Sequence, residues 1–530
     1  MGSHIFESDP VYETLSYVWG DQSNTRQITC DGSPRVITES LYLALSRLRL
    51  RDRPRTVWID QLCIDQTNDV EKSLQVNVMR DIYRKASRGL IWLGELPTEE
   101  QTGFPETHVA LVFQCLTEMI TDLPNAGSSG VKWWQRIWTI QEAKLPRESD
   151  LMWGGHTLSF DILKRVAVGL VRIDSGMGQR FEQCFGLGPL SNKFCIPIMN
   201  LQINDPAPIL GPLYRWRSRD ATNPLDKIYA LMGLLPDKPF KSVPFCDYTI
   251  SETELYTRVT LDLIRHHRGL LPVCGRRGEP RMTPGLPSWV LDWTFADDPS
   301  QRTTDYFGHC WRYNYFNCAD GKYIEPEVSP DGTGLVLQGT QVDKIAMLGS
   351  VNYLLDYQQL DSGEYDEHTL QTISLWSSVF YDWLGDRSID EPYIGNKAMT
   401  CLEAVCRVLI GDLVYHGSEP NHRASQEDVA RVQNYARGGW DPNIAASAWD
   451  MARSQAFFIT ESGYFGIGPP DAKIGDEVWV LLCGNVPHVI RRSSEQGLEF
   501  EYIGDAYVQG IMDGEVIAKS ATAIETVTLK

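Results

Sequence analysis

The sequence lacks the features of several classes of protein. None of its 530 residues lie in an apolar run long enough to cross a membrane, and its beginning has no basic segment followed by an apolar one, as a secretory signal has. The twelve cysteines include no C-x-x-C pair and so lack the spacing of a structural zinc site. A GxxxxGKS or GxxxxGKT loop is also missing. We therefore predict a soluble cytoplasmic protein with no membrane span, no metal site and no NTPase activity of its own.

Positive charge is scarce as well. Lysine and arginine number 49 against 69 aspartates and glutamates, which leaves a net charge of −20. A surface that neutralises phosphates is therefore not expected, and we predict no nucleic-acid partner. The exception is RLRLRDRPR, where five arginines lie between Arg47 and Arg55. This segment binds either a phosphate-bearing ligand or an acidic partner or, as we favour, is a solvated helix end whose cations suit the helix dipole.

Residues 1–150 alternate between strand and helix patterns. The apolar and β-branched runs predict strands at 15–19, 56–60 and 90–93, and the helical periodicity predicts helices at 40–50, 71–88, 108–121 and 131–143. Such alternation is typical of a mostly parallel sheet flanked by helices, an α/β domain. Ligands of these sheets bind beyond the carboxyl ends of the strands. The sequence therefore directs attention to 19–21, 60–65 and 94–95.

The later regions have different patterns, and 42% hydrophobic content is ample for their cores. Residues 151–330 predict a mixed, mainly helical region. Residues 331–452 predict a strand pair at 334–349 followed by helices. Residues 453–530 carry short strands with glycine, proline and aspartate between them, which indicates a small β-rich region, a barrel or a sandwich. The predicted fold class is thus α/β at the start and α+β for the whole chain.

Several segments resemble the motif series of the fungal heterokaryon-incompatibility (HET) domain in residues, order and spacing. In the first domain they are TLSYVWG (14–20), VWIDQLCIDQ (57–66), EKSLQVNVMRDIYRKASRGLIWLGE (71–95) and WWQRIWTIQEA (133–143). Later blocks resemble those of long HET proteins and lie at 223–236, 286–293, 457–491 and 502–515. Asn223, Leu225 and Leu291 depart from the usual residues of these blocks.

This resemblance implies a protein of fungal non-self recognition and programmed cell death, in which the HET domain is the effector. Such effectors are often joined to an NTPase or repeat sensor, which this chain does not carry. Control is therefore expected from the long carboxy-terminal part or from a partner sensor protein, and self-association is expected as a possible way to complete the site. HET domains are also remotely similar to Toll/interleukin-1 receptor (TIR) domains, and the resemblance implies a TIR-like fold.

Glu142 is the main catalytic candidate. Some TIR domains cleave NAD with a glutamate on a helix that begins with a tryptophan-containing motif, and Trp138-x-x-x-Glu142 has the matching form. Positions i and i+4 share one helix face, so the Trp138 ring could form the wall of a pocket for the carboxylate. A carboxylate beside an apolar ring keeps a raised pKa or stabilises a ribosyl cation. The alternative, which we weigh slightly higher, is that Glu142 only caps or pairs with a neighbouring strand.

The candidates for substrate binding follow the first two strands. Tyr17, Trp19, Gly20 and Asp21 stand where the TIR analogy places the nucleotide pocket, although packing of the two rings and a plain turn explain them equally well. Asp60 and Cys63 follow the second strand. Asp60 could instead cap the next turn, and Cys63 would need a histidine that the sequence does not place.

Three mechanisms stay open at this level. The first is Glu142-dependent cleavage of NAD or a related nucleotide, with NAD as substrate and no cofactor. The second is a non-catalytic signalling scaffold that recruits other proteins. The third is a dedicated enzyme acting on a small metabolite, because folds host unrelated chemistries. A pocket beside Glu142 would favour the first or the third, and a filled groove would favour the second.

Overall fold

A computed structural model of the protein describes residues 11–96, 132–171, 198, 201, 209–236, 239–275, 282–294, 314–351, 362–415, 421–494, 497–519 and 523–530. The chain divides into two compact units. All described residues up to Leu255 belong to the first unit, and those from Tyr256 onward belong to the second. The domain boundaries predicted at 150, 330 and 452 stay predictions.

The first unit combines a parallel sheet with helices. Its strands are β1 (Glu13–Tyr17), β2 (Thr25–Cys30), β3 (Ser33–Thr38), β4 (Val57–Trp58), β5 (Arg88–Trp92), β6 (Ser149–Trp153) and β7 (His156–Ser159). Its helices are α1 (Glu39–Leu48), α2 (Asp60–Cys63), α3 (Asp69–Lys85), α4 (Thr139–Lys144), α5 (Phe160–Val171), α6 (Leu210–Trp216) and α7 (Asp226–Met232). Helix α8 (Glu252–His267) begins in this unit and continues into the second.

The strand order of the main sheet is β4-β1-β5-β6-β7. Strands β4, β1, β5 and β6 are mutually parallel, and only β7 is antiparallel. Strand β1 is buried along almost its whole length, as expected for a central parallel strand covered on both faces. The prediction of an α/β parallel sheet is confirmed. The sheet therefore brings the carboxyl ends of β1, β4 and β5 to one edge.

Local capping determines where the helices begin. Helix α1 follows Thr38, whose hydroxyl accepts from the Leu41 amide at 3.4 Å, and the Ser40 hydroxyl donates to the Val18 carbonyl at 2.6 Å. Helix α3 begins after Asn68, whose side chain accepts from two backbone amides at 3.1 Å. The hairpin of β2 and β3 was not expected, although Asp31-Gly32 is a typical two-residue turn with positive φ at both positions.

The helix expected at 131–143 is interrupted. A 3-10 turn occupies Lys132–Gln135, and the α-helix starts only at Thr139. The backbone between them bonds to Asp220 instead, whose amide donates to the Gln135 carbonyl at 2.6 Å and whose carbonyl accepts from the Ile137 amide at 2.9 Å. This long-range pairing replaces helical hydrogen bonds and explains the error. The helix expected at 108–121 lies outside the described residues.

The second unit combines helices with a large, mostly antiparallel sheet. Its strands are β8 (Glu327–Val328), β9 (Leu335–Leu348), β10 (Pro392–Tyr393), β11 (Asn396–Thr400), β12 (Leu413–Val414), β13 (His422–Arg423), β14 (Ala456–Thr460), β15 (Phe465–Gly468), β16 (Glu477–Leu481), β17 (His488–Arg492), β18 (Glu499–Asp505), β19 (Tyr507–Val508) and β20 (Glu525–Leu529). Its further helices are α9 (Ser362–Leu384), α10 (Cys401–Leu409), α11 (Gln426–Ala436) and α12 (Pro442–Ala452).

Five of these strands close into a ring. Strand β9 pairs with β16, followed by β17, β18 and β20, and β20 pairs again with β9. The β-rich region expected after residue 453 is thus a barrel, but it also uses the earlier strand β9. The strand pair expected at 334–349 is wrong, because this segment is one continuous strand. Gly339 does not turn the chain; a Cβ there would lie 2.6 Å from the Val480 carbonyl oxygen, so glycine lets β16 approach.

Candidate functional site

Glu142 lies on α4, and its side chain reaches the central strand of the sheet. The residue is only 4% exposed. The Ser16 hydroxyl on β1 donates a hydrogen bond to the Glu142 carboxyl, and the same hydroxyl accepts from the Trp133 indole at 2.7 Å. The carboxyl is thereby fixed at one oxygen by a chain of hydrogen bonds that begins in the motif WWQRIW.

Burial raises the pKa of Glu142 to about 7. The charge of Arg136 and the hydrogen bond from Ser16 oppose this rise, and the nearby carboxyl of Asp60 adds to it. A carboxyl with this pKa exchanges a proton readily at neutral pH, which is the property required of a general acid or base. It can also stand as a carboxylate in an apolar site, where its charge acts strongly on a developing cation.

Arg136 is the cation of this cluster, and the sequence analysis missed it. Its guanidinium donates to the Tyr17 carbonyl at the end of β1. Its charge lowers the pKa of Glu142 and opposes the burial that raises that of Asp60. The charge of one cation therefore acts on a buried acid, Glu142, and on a half-buried one, Asp60. Within the part of the chain that the structure describes, neither acid forms an ion pair.

The structure brings Tyr17, Trp19 and Asp60 together at this edge of the sheet. The Trp19 indole donates to the Asp60 carboxyl at 2.9 Å, and the Gln61 amide donates to its other oxygen at 2.7 Å. The Tyr17 hydroxyl donates to the Gln61 side chain at 3.1 Å. Burial raises the pKa of both Asp60 and Tyr17, so the acid favours its protonated form more than a free aspartic acid does.

The other predicted residues lie at the margin. Gly20 has a positive φ of 73° and, like Asp21, is exposed. Asp21 accepts from the Ser23 amide and hydroxyl, so it forms a turn. Cys63 is exposed, and partial desolvation raises the pKa of its thiol. Trp138 is half-buried.

The residues that were weighed as lesser candidates have structural partners. Arg47 and Arg55 form ion pairs with Glu95 and Glu13, which agrees with a solvated surface. Among the described residues no three His, Cys, Asp or Glu side chains group as metal ligands. The described helices likewise include none that is long and apolar enough to span a membrane.

Three residues of the site were missed although they lie in motifs that the sequence analysis quoted. Ser16 is part of TLSYVWG, Gln61 follows Asp60, and Arg136 stands six positions before Glu142. Their signal was proximity in sequence to the chosen residues. Hydrogen-bonding between the motifs, which gives them their role, depends on the sheet order and cannot be read from the chain.

Comparisons with known proteins agree with this architecture. A family model described as "Heterokaryon incompatibility protein (HET)" matches residues 12–142, and a model described as "Het-6 beta-barrel domain" matches residues 440–523. The second match contains β14 to β19 but not β9 and β20, which close the ring.

Two curated relatives carry names of the same kind. The chain is 25% identical to "Heterokaryon incompatibility protein 6, OR allele" of Neurospora crassa, over 96% of this chain and 90% of that protein. It is 24% identical to "Vegetative incompatibility protein HET-E-1" of Podospora anserina over 143 residues, which are 26% of this chain and 9% of that protein. No solved structure matches the chain significantly. The chain thus has a region that matches the HET model in its first unit and one that matches the Het-6 barrel model in its second, and over most of its length it is similar to a heterokaryon-incompatibility protein.

Proposed function

We propose that this protein acts in fungal non-self recognition and that its first unit cleaves the N-glycosidic bond of NAD or a related nucleotide at Glu142. The role in recognition is supported by the names of its relatives. The chemistry is supported chiefly by one observation, the buried carboxyl of Glu142 with its pKa near 7 at the edge of the sheet. Perturbed acids of this kind occur preferentially at functional sites.

The reaction is a hydrolysis. The bond between ribose C1′ and the nicotinamide nitrogen breaks, and nicotinamide leaves with the electron pair. The Glu142 carboxylate stabilises the ribosyl cation, as carboxylates do in glycosidases. Water then adds to C1′ and gives its proton to Glu142, which releases it to solvent. NAD and water thus yield nicotinamide, ADP-ribose and one proton.

The neighbouring residues suit the rest of such a substrate. The Trp19 and Tyr17 rings offer apolar surface, and Asp60 offers carboxylate oxygens of the kind that accept hydrogen bonds from ribose hydroxyls. Arg136 supplies the positive charge expected beside a phosphate-bearing ligand. Each of these roles requires the substrate to enter beside the Glu142 carboxyl, which is 4% exposed.

That same burial favours a second candidate, the non-catalytic scaffold. A glutamate that is hydrogen-bonded to β1 and shielded from solvent could have a purely structural role, which is to hold α4 against the sheet. In that case the surfaces of the first unit would recruit other proteins. The burial of Glu142 is also compatible with an enzyme that is active only when assembled, since self-association could open the site.

Nicotinamide release by the full chain distinguishes the two candidates. We expect release by the wild type that grows faster than linearly with protein concentration and falls at least about 100-fold in Glu142→Gln. Glu148→Gln is the matched control, because Glu148 is an exposed glutamate close by in the sequence. Equal rates in wild type and Glu142→Gln, or no release by folded protein at any concentration, would refute the enzymatic proposal and favour the scaffold.

A further inference from the structure

Two hydroxyl side chains lie on the same side of the central strand β1. Thr14 and Ser16 are two positions apart and share one face of the strand, while Leu15 and Tyr17 lie on the other face. Thr14 is fully buried, and Ser16 is 2% exposed. The Thr14 hydroxyl has no hydrogen-bond partner among the described residues, whereas the Ser16 hydroxyl has two. Of these two buried hydroxyls, Ser16 is therefore the one that is tied to Glu142.

The partners of Ser16 determine the direction of its hydroxyl hydrogen. The Trp133 indole can only donate, and it donates to the Ser16 oxygen at 2.7 Å. The hydroxyl hydrogen thus needs another acceptor, and its acceptor among the described residues is Oε2 of Glu142. Trp133 is 1% exposed, and its ring packs edge-on against Trp134 with the ring centres 4.7 Å apart, which holds the indole in place. Donation therefore runs from Trp133 through Ser16 to Glu142.

This direction gives the two carboxyl oxygens of Glu142 different roles. A proton on Oε2 would compel the Ser16 oxygen to accept twice, and the Ser16 hydrogen would then have no acceptor among the described residues. A buried donor without an acceptor is costly, because it has lost its hydrogen bond to water. The protonated acid therefore carries its hydrogen on Oε1, and Oε2 accepts from Ser16 in both protonation states.

We propose that Ser16, held by Trp133, is a positioning residue of the Glu142 site: it occupies Oε2 and makes Oε1 the oxygen that takes up and releases the proton. The inference rests on the proposed function only for its effect on activity. Ser16 touches no reacting atom and keeps its own hydrogen throughout. In the proposed hydrolysis the proton of the attacking water passes to Oε1, and from there to solvent.

Infrared difference spectra of the full chain between pH 6 and pH 8 test the roles of the two oxygens. The C=O band of protonated Glu142 is identified by its loss in Glu142→Gln. The oxygen of this C=O group is Oε2, and the hydrogen bond from Ser16 lowers its stretching frequency. We therefore expect the band to move to higher wavenumber in Ser16→Ala. An unmoved band would overturn the proposal, because the proton would then be on Oε2.

Thr14→Val is the matched control for this experiment. It removes a buried hydroxyl from the same face of β1, and this hydroxyl does not contact Glu142. The Glu142 band should keep its position in Thr14→Val. An equal move of the band in Thr14→Val and Ser16→Ala would contradict the proposal, since any loss of a hydroxyl from this face would then have the same effect.

Trp133→Phe is an independent test that leaves Ser16 in place. Phenylalanine keeps an aromatic ring but removes the indole N–H that fixes the direction of the Ser16 hydroxyl. We expect a smaller move of the Glu142 band in the same direction, and no further move when Trp133→Phe is added to Ser16→Ala. Shifts that add in the double variant would contradict the proposal, because Trp133 would then act on Glu142 without Ser16.

The pH dependence of nicotinamide release gives the effect on activity. The titratable and charged groups that interact with the Glu142 carboxyl are Arg136, Asp60, Tyr17 and Tyr83. The hydrogen bond from Ser16 lowers the pKa of Glu142, so its removal in Ser16→Ala should raise this pKa. The rise of kcat that follows formation of the carboxylate should then move to higher pH, with little change in KM.

The two readouts separate this inference from the proposed function. An unmoved pH profile in Ser16→Ala would refute the positioning role of Ser16. A moved infrared band with no nicotinamide release by the wild type would support the positioning role and refute the proposed reaction.

Discussion

Two buried glutamates show how differently the two units hold acidic groups. In the barrel, Glu477 accepts hydrogen bonds from Arg492 at 3.0 and 3.2 Å and from the Trp479 indole at 2.9 Å. In the first unit, Glu142 is as deeply buried but accepts a hydrogen bond from the Ser16 hydroxyl, which carries no charge. The barrel glutamate is neutralised by a two-pronged ion pair, whereas the glutamate of the sheet edge is not.

The contrast extends to the neighbours of both residues. Asp476 pairs with both arms of Arg491 at 2.8 and 2.9 Å. Burial by itself would raise the pKa of Asp428, but hydrogen bonds from Ser425 and other partners hold this pKa below its usual range. Burial raises the pKa of Asp60, for which no ion pair is present among the described residues. Removing one partner of a buried ion pair is costly, and acids with raised pKa values occur preferentially at functional sites.

The largest expected effect concerns the barrel pair. Arg492→Leu leaves Glu477, which is 1% exposed, with the Trp479 indole and the more distant Lys344 at 3.7 Å, and should cost about 3 kcal/mol of unfolding free energy. Urea unfolding of the full chain measures this loss. Leucine at both positions should restore most of it, and Arg26→Leu, which breaks a surface pair with Glu39, should lose much less. Equal losses in the two arginine variants would abolish the contrast.

The second prediction concerns the first unit, where removing the charge of the buried glutamate should stabilise the fold. Because the folded pKa of Glu142 lies near 7, above the ordinary 4.5, its protonated form stabilises the fold below pH 4.5 and this contribution is lost as the pH rises through 7. Glu142→Gln should therefore raise stability by about 2 kcal/mol at pH 8 and by little at pH 5. Thermal unfolding at both pH values measures the difference.

Glu477→Gln is the matched control for that experiment. It removes a charge that Arg492 needs, and should destabilise the chain at both pH values. If Glu142→Gln were also destabilising at pH 8, Glu142 would be a paired structural acid like Glu477.

More of the structure could be predicted from the sequence for the first unit than for the second. Parallel strands with helices between them could be predicted for the first unit because each is a local pattern. Ser16 was not predicted as part of the site, since the chain separates it widely from Glu142 and only folding joins them. The barrel closes through β9, which stands more than 100 residues before β14, and no local pattern carries such a pairing.

A smaller effect is expected from Gly233→Ala. The φ of −65° suits alanine, so the backbone should gain about 0.5–1 kcal/mol. The new Cβ displaces the Gln141 amide and breaks its bond to Ala230, which costs about 1 kcal/mol. Stability should thus change little while nicotinamide release falls. Gly155→Ala is the control, because its Cβ would meet no atom closer than 3.8 Å. Unchanged release would show that Gln141 does not support Glu142.

The smallest effect tests whether the unpaired acids influence their surroundings. Desolvation and the charge of Asp60 raise the pKa of the Cys63 thiol, so less of it is thiolate at pH 7.5 than in a free cysteine. Alkylation of Cys63 by iodoacetamide should therefore be slower than that of a cysteine peptide. Asp60→Asn should speed it, and Cys63→Ser should identify the modified peptide. A neutral Asp60 would have no effect on the thiol. An unchanged rate in Asp60→Asn would therefore mean that Asp60 is uncharged at this pH. Of these two acids, only Glu142 could then carry negative charge at the sheet edge.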